Sequence, residues 1–273
     1  MLAKILSVAV ILISGVGVGR AAEIKVDHDS SSDIIEIRGE IVSGDANRLK
    51  KAIAQAAPNI RLDSLYDLTI SINSPGGDVK EAVSMGNIVR QSLVSVSVEG
   101  GGVCASACFF VWLAGVPHFA ASSEQMKFWI KTYKKWDDTL GEGNEMTNAL
   151  RNGLGKAVGG PVGLHRPFLA NIQSVENDQD KVMKIVRAYL DDQLVPRRLV
   201  DTMLSRPSND IYWLTRADLD ELGEYPPDVE EYLINKCGYK RDSSGMSSSE
   251  VEKMVACTLY DLRRSRRLHL ERK

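Results

Sequence analysis

Cys104-Ala105-Ser106-Ala107-Cys108 sets one hydroxyl among small side chains, just after Gly100-Gly101-Gly102 and just before an apolar stretch that runs to Ala114. A serine near the start of a helix has unpaired backbone amides beside it, and these favour developing negative charge. Acyl transfer needs that arrangement: a nucleophile, and N–H groups to hold an oxyanion. A second glycine turn, Asn73-Ser74-Pro75-Gly76-Gly77-Asp78, ends another strand pattern and leads into another helix pattern. There Gly76-Gly77 lets backbone approach a substrate closely and leaves amides free. Singly, each motif reads as packing or as a plain turn. Together they read as a nucleophile beside an oxyanion hole.

The elements that must position these turns are written in the periodicity. Ile34 to Ile41 reads as a first strand, with Gly39 as a bulge or turn, and residues 45 to 57 carry Leu49, Ile53 and Ala56 at helical spacing. Leu68, Ile70 and Ile72 alternate with Thr69 and Ser71, which predicts a strand. A helix with Val79, Ala82, Val83, Ile88 and Val89 on one face follows, then a strand through Val94, Val96 and Val98. Cys104 to Ala114 is apolar nearly all round and predicts a helix buried on every side. The order strand–helix repeated over 33–115 is that of an α/β layered fold, whose sites form at the ends of its strands.

Residues 119–160 break the pattern with a lysine-rich stretch and then a glycine-rich one, and read as an insertion with some helix, a lid or an oligomer contact. Further helices are predicted over 178–194, 197–204, 215–222 and 248–268. The last ends in Arg263-Arg264 and Arg266-Arg267, a run read as a solvated face.

A net charge of −2 gives no global reason to expect nucleic acid or an anionic membrane as partner. Lys4, the apolar run Ile5 to Val18 and the small residues around Ala21 have the three-part layout of a secretory signal peptide, with cleavage expected after Ala21 and an uncleaved anchor as the alternative. The expected location is periplasmic or secreted. Export permits disulfides among Cys104, Cys108, Cys237 and Cys257. A Cys237–Cys257 bridge is expected to staple the C-terminal region. A Cys104–Cys108 bridge requires the backbone to turn just at a helix start.

Ile72-Asn73-Ser74-Pro75-Gly76-Gly77 and Ala105-Ser106-Ala107, followed by Phe109 to Leu113 and Ala114-Gly115, resemble the turn motif and the nucleophile helix of the Clp protease proteolytic subunits. The span from Gly77 to Ser106 fits the family pattern without a gap, and the resemblance covers about residues 33 to 116. It implies a ClpP/crotonase-type fold of stacked β-β-α units and a Ser-His-Asp triad. By position, Ser106 would be the nucleophile and the amides of Gly77 and Ala107 the oxyanion donors. Of the histidines, Val162-Gly163-Leu164-His165 looks like the family's short strand ending in its catalytic base. His118 follows the nucleophile helix directly, His28 precedes the fold and His269 is in the charged tail. Asn209 to Thr215 resembles the family segment bearing the aspartate once shifted by one residue, which points to Asp210, with Asp178 and Asp201 as substitutes.

The sequence pattern and the resemblance together give three expected segments: a signal peptide over 1–21, a catalytic domain over 22–226 with the 119–160 insertion, and a helical appendix over 227–273. The expected activity is an ATP-independent, exported serine peptidase acting on peptide or protein. It needs no metal or organic cofactor. Export would separate it from an ATP-dependent unfoldase, and family membership implies self-association. The alternatives are a non-catalytic peptide-binding scaffold and an ester or thioester hydrolase.

Overall fold

The computed structural model describes residues 21–28, 33–56, 68–140, 159–168, 176–242 and 245–270. Residues 1–20 of the expected signal peptide and residues 141–158 of the expected insertion lie outside the described residues.

Alternation of branched apolar residues builds the main sheet. In β2 (Asp33–Arg38) and β3 (Leu68–Asn73) every second side chain is buried, with Ile35, Ile37, Leu68, Ile70 and Ile72 all fully inside. Helix α1 (Asp45–Ala56) joins these strands, and α2 (Val79–Ser92) leads from β3 to β4 (Ser95–Val98). Strands β2, β3 and β4 run parallel, and β6 (His118–Phe119) extends the row beside β4. Strand β1 (Glu23–His28) closes the other edge antiparallel to β2, giving the order β1-β2-β3-β4-β6. Asp78 caps α2 by accepting from the Glu81 amide at 3.0 Å, so that helix starts immediately after the Gly76-Gly77 turn.

The segment expected as one buried helix over 104–114 is divided. Cys104–Ala105 forms the short strand β5, Ser106 turns the chain, and α3 (Cys108–Leu113) begins only afterwards. Apolarity on every side marked this stretch as interior; pairing with distant backbone decides that its first two residues are strand. Strand β5 runs parallel to β7 (Val162–Leu164), which in turn pairs antiparallel with β8 (Tyr212–Trp213) in a second, three-stranded sheet. Phe109, Phe110 and Trp112 of α3 fill the space between the layers at about 1% exposure each. Tyr189 of α5 (Glu176–Asp192) donates to the Phe110 carbonyl at 2.7 Å and locks α5 against α3.

The expected insertion starts inside the main sheet, at Phe119 of β6, and continues with α4 (Ser123–Leu140). The remaining helices are α6 (Arg197–Ser205), α7 (Arg216–Leu222), α8 (Pro227–Cys237) and α9 (Ser248–Leu270). Leu233 of α8 and Leu262 of α9 form a small separate apolar cluster with Val116 and Tyr225. The Cys237–Cys257 disulfide joins the two helices, and an Arg90–Asp228 ion pair ties α8 to the end of α2. Among the described residues no helix is long and apolar enough to cross a membrane.

Candidate active site

Three backbone segments meet at Ser106. Beyond the end of β3, the Ser74 amide donates to the Val103 carbonyl at 2.8 Å and the Ser74 carbonyl accepts from the Ala105 amide at 3.0 Å. The Ser106 amide donates to the Gly163 carbonyl of β7 at 2.9 Å. The glycine turn, the nucleophile turn and the strand leading to His165 are therefore laced together by main-chain bonds. Ser74 adds a third contribution: its buried Oγ accepts from the Gly76 amide at 3.1 Å and shapes the turn itself.

Ser106 is half-buried and has a φ of +56°, a left-handed conformation that costs a non-glycine residue roughly 1–2 kcal/mol. Such strain concentrates where a side chain must be presented in one direction. The turns pack closely enough to explain both glycines. A Cβ on Gly76, φ +105°, would stand 2.7 Å from the Ser106 Cβ and 2.9 Å from the Ala107 nitrogen. One on Gly77, φ +139°, would fall 2.1 Å from the Ile41 carbonyl oxygen. Ile41 bonds around that glycine, donating to the Gly76 carbonyl at 2.7 Å and accepting from the Asp78 amide at 2.8 Å. Among the described residues, neither the Gly77 nor the Ala107 amide donates to a main-chain carbonyl.

Ser106, Gly76, Gly77 and His165 line one cavity of about 840 Å³. Its walls are largely apolar, through Val79, Pro167, Phe168, Val182 and Ile211, with Glu40, Asp78 and Lys80 as charged members. His165 follows β7 directly, is 7% exposed, and its Nδ1 lies 3.0 Å from the Arg166 carbonyl oxygen. A carbonyl can only accept, so Nδ1 carries the proton there and Nε2 is left as the basic nitrogen. The Phe168 ring stands 5.8 Å from the imidazole, centroid to centroid.

Asp210 is not brought to this group. Its carboxylate is exposed and bonds Arg206 Nη1 at 2.7 Å. The cause lies in the register of β7 and β8, which pairs Gly163 with Trp213 and Leu164 with Tyr212. Continued by one residue, that register sets His165 opposite Ile211, and both line the cavity. Asp210 falls opposite Arg166, one position out of phase, and alternate strand residues face opposite sides. The Arg166 amide donates to the Arg206 carbonyl at 3.0 Å, holding the two segments together. Of the substitutes, Asp201 is exposed and 3.9 Å from Arg197, and the side chain of Asp178 lies outside the described residues.

Asp218 is the buried carboxylate of this region, and residue types and spacing did not single it out. Burial pushes its pKa up, but the Thr215 amide, the Arg198 guanidinium and the Thr215 and Tyr212 hydroxyls outweigh that and hold it low. It forms a capping box with Thr215 at the start of α7 and so fixes the segment that carries β8. His118 sits on β6, buried against Trp112 with ring centroids 4.5 Å apart, and does not line the cavity. Burial pushes its pKa down to about 4.

Residues 26–131 match the Clp protease family. Over that span the chain is similar to the Clp proteases. That match takes in most of the first sheet, both glycine turns and the Ser106 turn, and ends before His165. Among solved structures the chain is similar to the 1510-N membrane-bound stomatin-specific protease, in a mutant form, at 15% identity over 75% of this chain and 84% of that one, with a TM-score of 0.44. It is also similar to ClpP1 from Listeria monocytogenes, at 18% identity over 70% of this chain and 88% of that one, with a TM-score of 0.42. No curated protein sequence matches.

Proposed function

We propose that the chain is an exported serine peptidase that works without ATP, with Ser106 as nucleophile and His165 as general base. The observation that carries this reading is the meeting, in one 840 Å³ cavity, of a serine held at φ +56°, a histidine with Nε2 free to accept, and a glycine turn. His165 takes the Ser106 proton as Oγ attacks a substrate carbonyl. The Gly77 and Ala107 amides, unspent in main-chain bonding, hold the oxyanion. Each such donor contributes about 3–4 kcal/mol. Nitrogen leaves with the proton from His165, and water releases the acyl group by the same steps in reverse order.

The orienting group is the Arg166 carbonyl. It fixes the tautomer of His165 without a carboxylate, while Asp210 serves Arg206. A dyad of this kind still provides a base; what it gives up is stabilisation of the imidazolium by a full charge.

Two disulfides, Cys104–Cys108 and Cys237–Cys257, support an oxidising location, periplasmic or extracellular. Apolar walls suit extended peptides with apolar side chains, and self-association is proposed from the family. The test is a panel of unfolded-protein, peptide and thioester substrates offered to the oxidised protein and to Ser106→Ala. Peptide cleavage lost in Ser106→Ala supports the reading. Turnover of thioesters alone makes the chain an acyl-thioester hydrolase, and no turnover of any substrate favours a peptide-binding scaffold.

A further inference from the structure

Helix α3 begins without a cap. Its N-cap position is Ala107, which offers no side-chain acceptor to the first-turn amides. A serine, threonine or aspartate there would fasten the helix start, but its oxygen would occupy the amides proposed to receive the oxyanion. The chain needs another fastening at this point. The Cys104–Cys108 disulfide supplies one: it joins the first residue of β5 to the first residue of α3 across the three residues that include Ser106, with Cα atoms 5.2 Å apart. Cys104 is held in the sheet, its amide donating to the Pro161 carbonyl at 3.0 Å, and Cys108 is held by the buried helix. Both cysteines are fully buried, so the bridge is not a surface staple.

We infer that Cys104 and Cys108 are positioning residues for Ser106, and that the serine is reactive only while their bridge is closed. This rests on the hydrolase reading above. A dithiol breaks the bridge by giving up two electrons and two protons: the S–S bond becomes two thiols and the dithiol closes its own disulfide. With the bond gone, the left-handed conformation of Ser106 rests on non-covalent bonds alone. The turn relaxes toward an ordinary conformation, and Oγ is no longer held in one direction in the cavity it shares with His165 and Gly77. Burial of both sulfurs confines this exchange to an opened or newly synthesised chain. Closure then acts as an activation step in an oxidising compartment, where a donor disulfide takes up the two electrons and two protons of the thiols and leaves as a dithiol.

The experiment uses the full chain carrying Cys237→Ala and Cys257→Ala, so that the remaining bridge is the only one in play. Fluorophosphonate labelling rates are compared for the oxidised protein, for protein refolded in excess dithiothreitol with its thiols counted by mass spectrometry, and for a Cys104→Ala/Cys108→Ala form. Each is read well below its own unfolding temperature, where a merely stabilising bridge would leave the rate unchanged. At least a tenfold slower rate in the reduced and alanine forms, with native circular dichroism, is the expected result. Equal rates overturn the inference while leaving the hydrolase reading intact. Absence of labelling in the oxidised protein overturns both. Global unfolding of the reduced and alanine forms also overturns it, because the bridge is then part of the fold rather than a positioning device.

Discussion

The nucleophile turn and the C-terminal appendix each carry one disulfide, and the two bridges do different work. Cys237–Cys257 spans 20 residues, joins α8 to α9 and lies beside a four-residue apolar cluster. Closing a loop of that size removes enough freedom from the unfolded chain to contribute about 3 kcal/mol. Cys104–Cys108 spans only 4 residues, for which the same argument yields about 2 kcal/mol, and it lies in the main core where packing is already dense. The appendix has too little core and takes a long-range staple. The nucleophile turn has ample core but an unusual backbone and an uncapped helix, and takes a short-range clamp. One bridge limits what the unfolded chain can do; the other limits what the folded chain can do.

The comparison breaks most readily at the site. His165→Ala is expected to lower the fluorophosphonate labelling rate by about two to four orders of magnitude, the usual contribution of a positioned general base. An unchanged rate would remove His165 from the chemistry. In the appendix, Cys237→Ala/Cys257→Ala is expected to cost about 3 kcal/mol in denaturant unfolding and to leave the labelling rate of folded protein unaltered. Loss of labelling there would couple the appendix to the cavity and blur the distinction.

His118 offers a smaller effect, at the border where β6 meets the appendix cluster next to Val116. Its pKa is about 4 in the folded chain and 6.5 as an ordinary histidine. Between those values the unfolded chain takes up a proton that the folded chain refuses, so stability is lost as pH falls through that window, by up to about 3 kcal/mol. Unfolding curves from pH 7 to 4.5 should show this slope in the wild type and lack most of it in His118→Gln, with labelling per folded molecule little changed by the substitution. The smallest effect belongs to Asp210→Asn, expected to change the labelling rate less than about twofold, since a carboxylate salt-bridged to Arg206 is not orienting the imidazole. A hundredfold loss would restore a full triad.

Much of this arrangement is legible in the sequence. Leu68-Ile70-Ile72 and the Gly76-Gly77 turn spell out a strand end leading into a helix, and α2, α5 and α9 carry helical spacing strong enough to be read within a few residues. Strand β5 was hidden because its two residues are apolar on every side, and a buried strand and a buried helix have the same appearance at that length. Its identity comes from Ser74 and Gly163, far away in the chain. The His165 partner was hidden for a sharper reason. Which face Asp210 occupies depends on the pairing of β7 with β8, and a slip of one residue exchanges the faces. Asp218 stayed out of view because a helix-capping aspartate and a catalytic one look alike until their partners are known.

The most direct test of the central claim is where an active-site label lands. Oxidised protein would be treated with a fluorophosphonate, digested, and the modified peptide sequenced by mass spectrometry. A single adduct on Ser106, formed at a rate that falls in His165→Ala, is the predicted result. Adducts scattered over other hydroxyls, or none on Ser106 in well-folded protein, would contradict it.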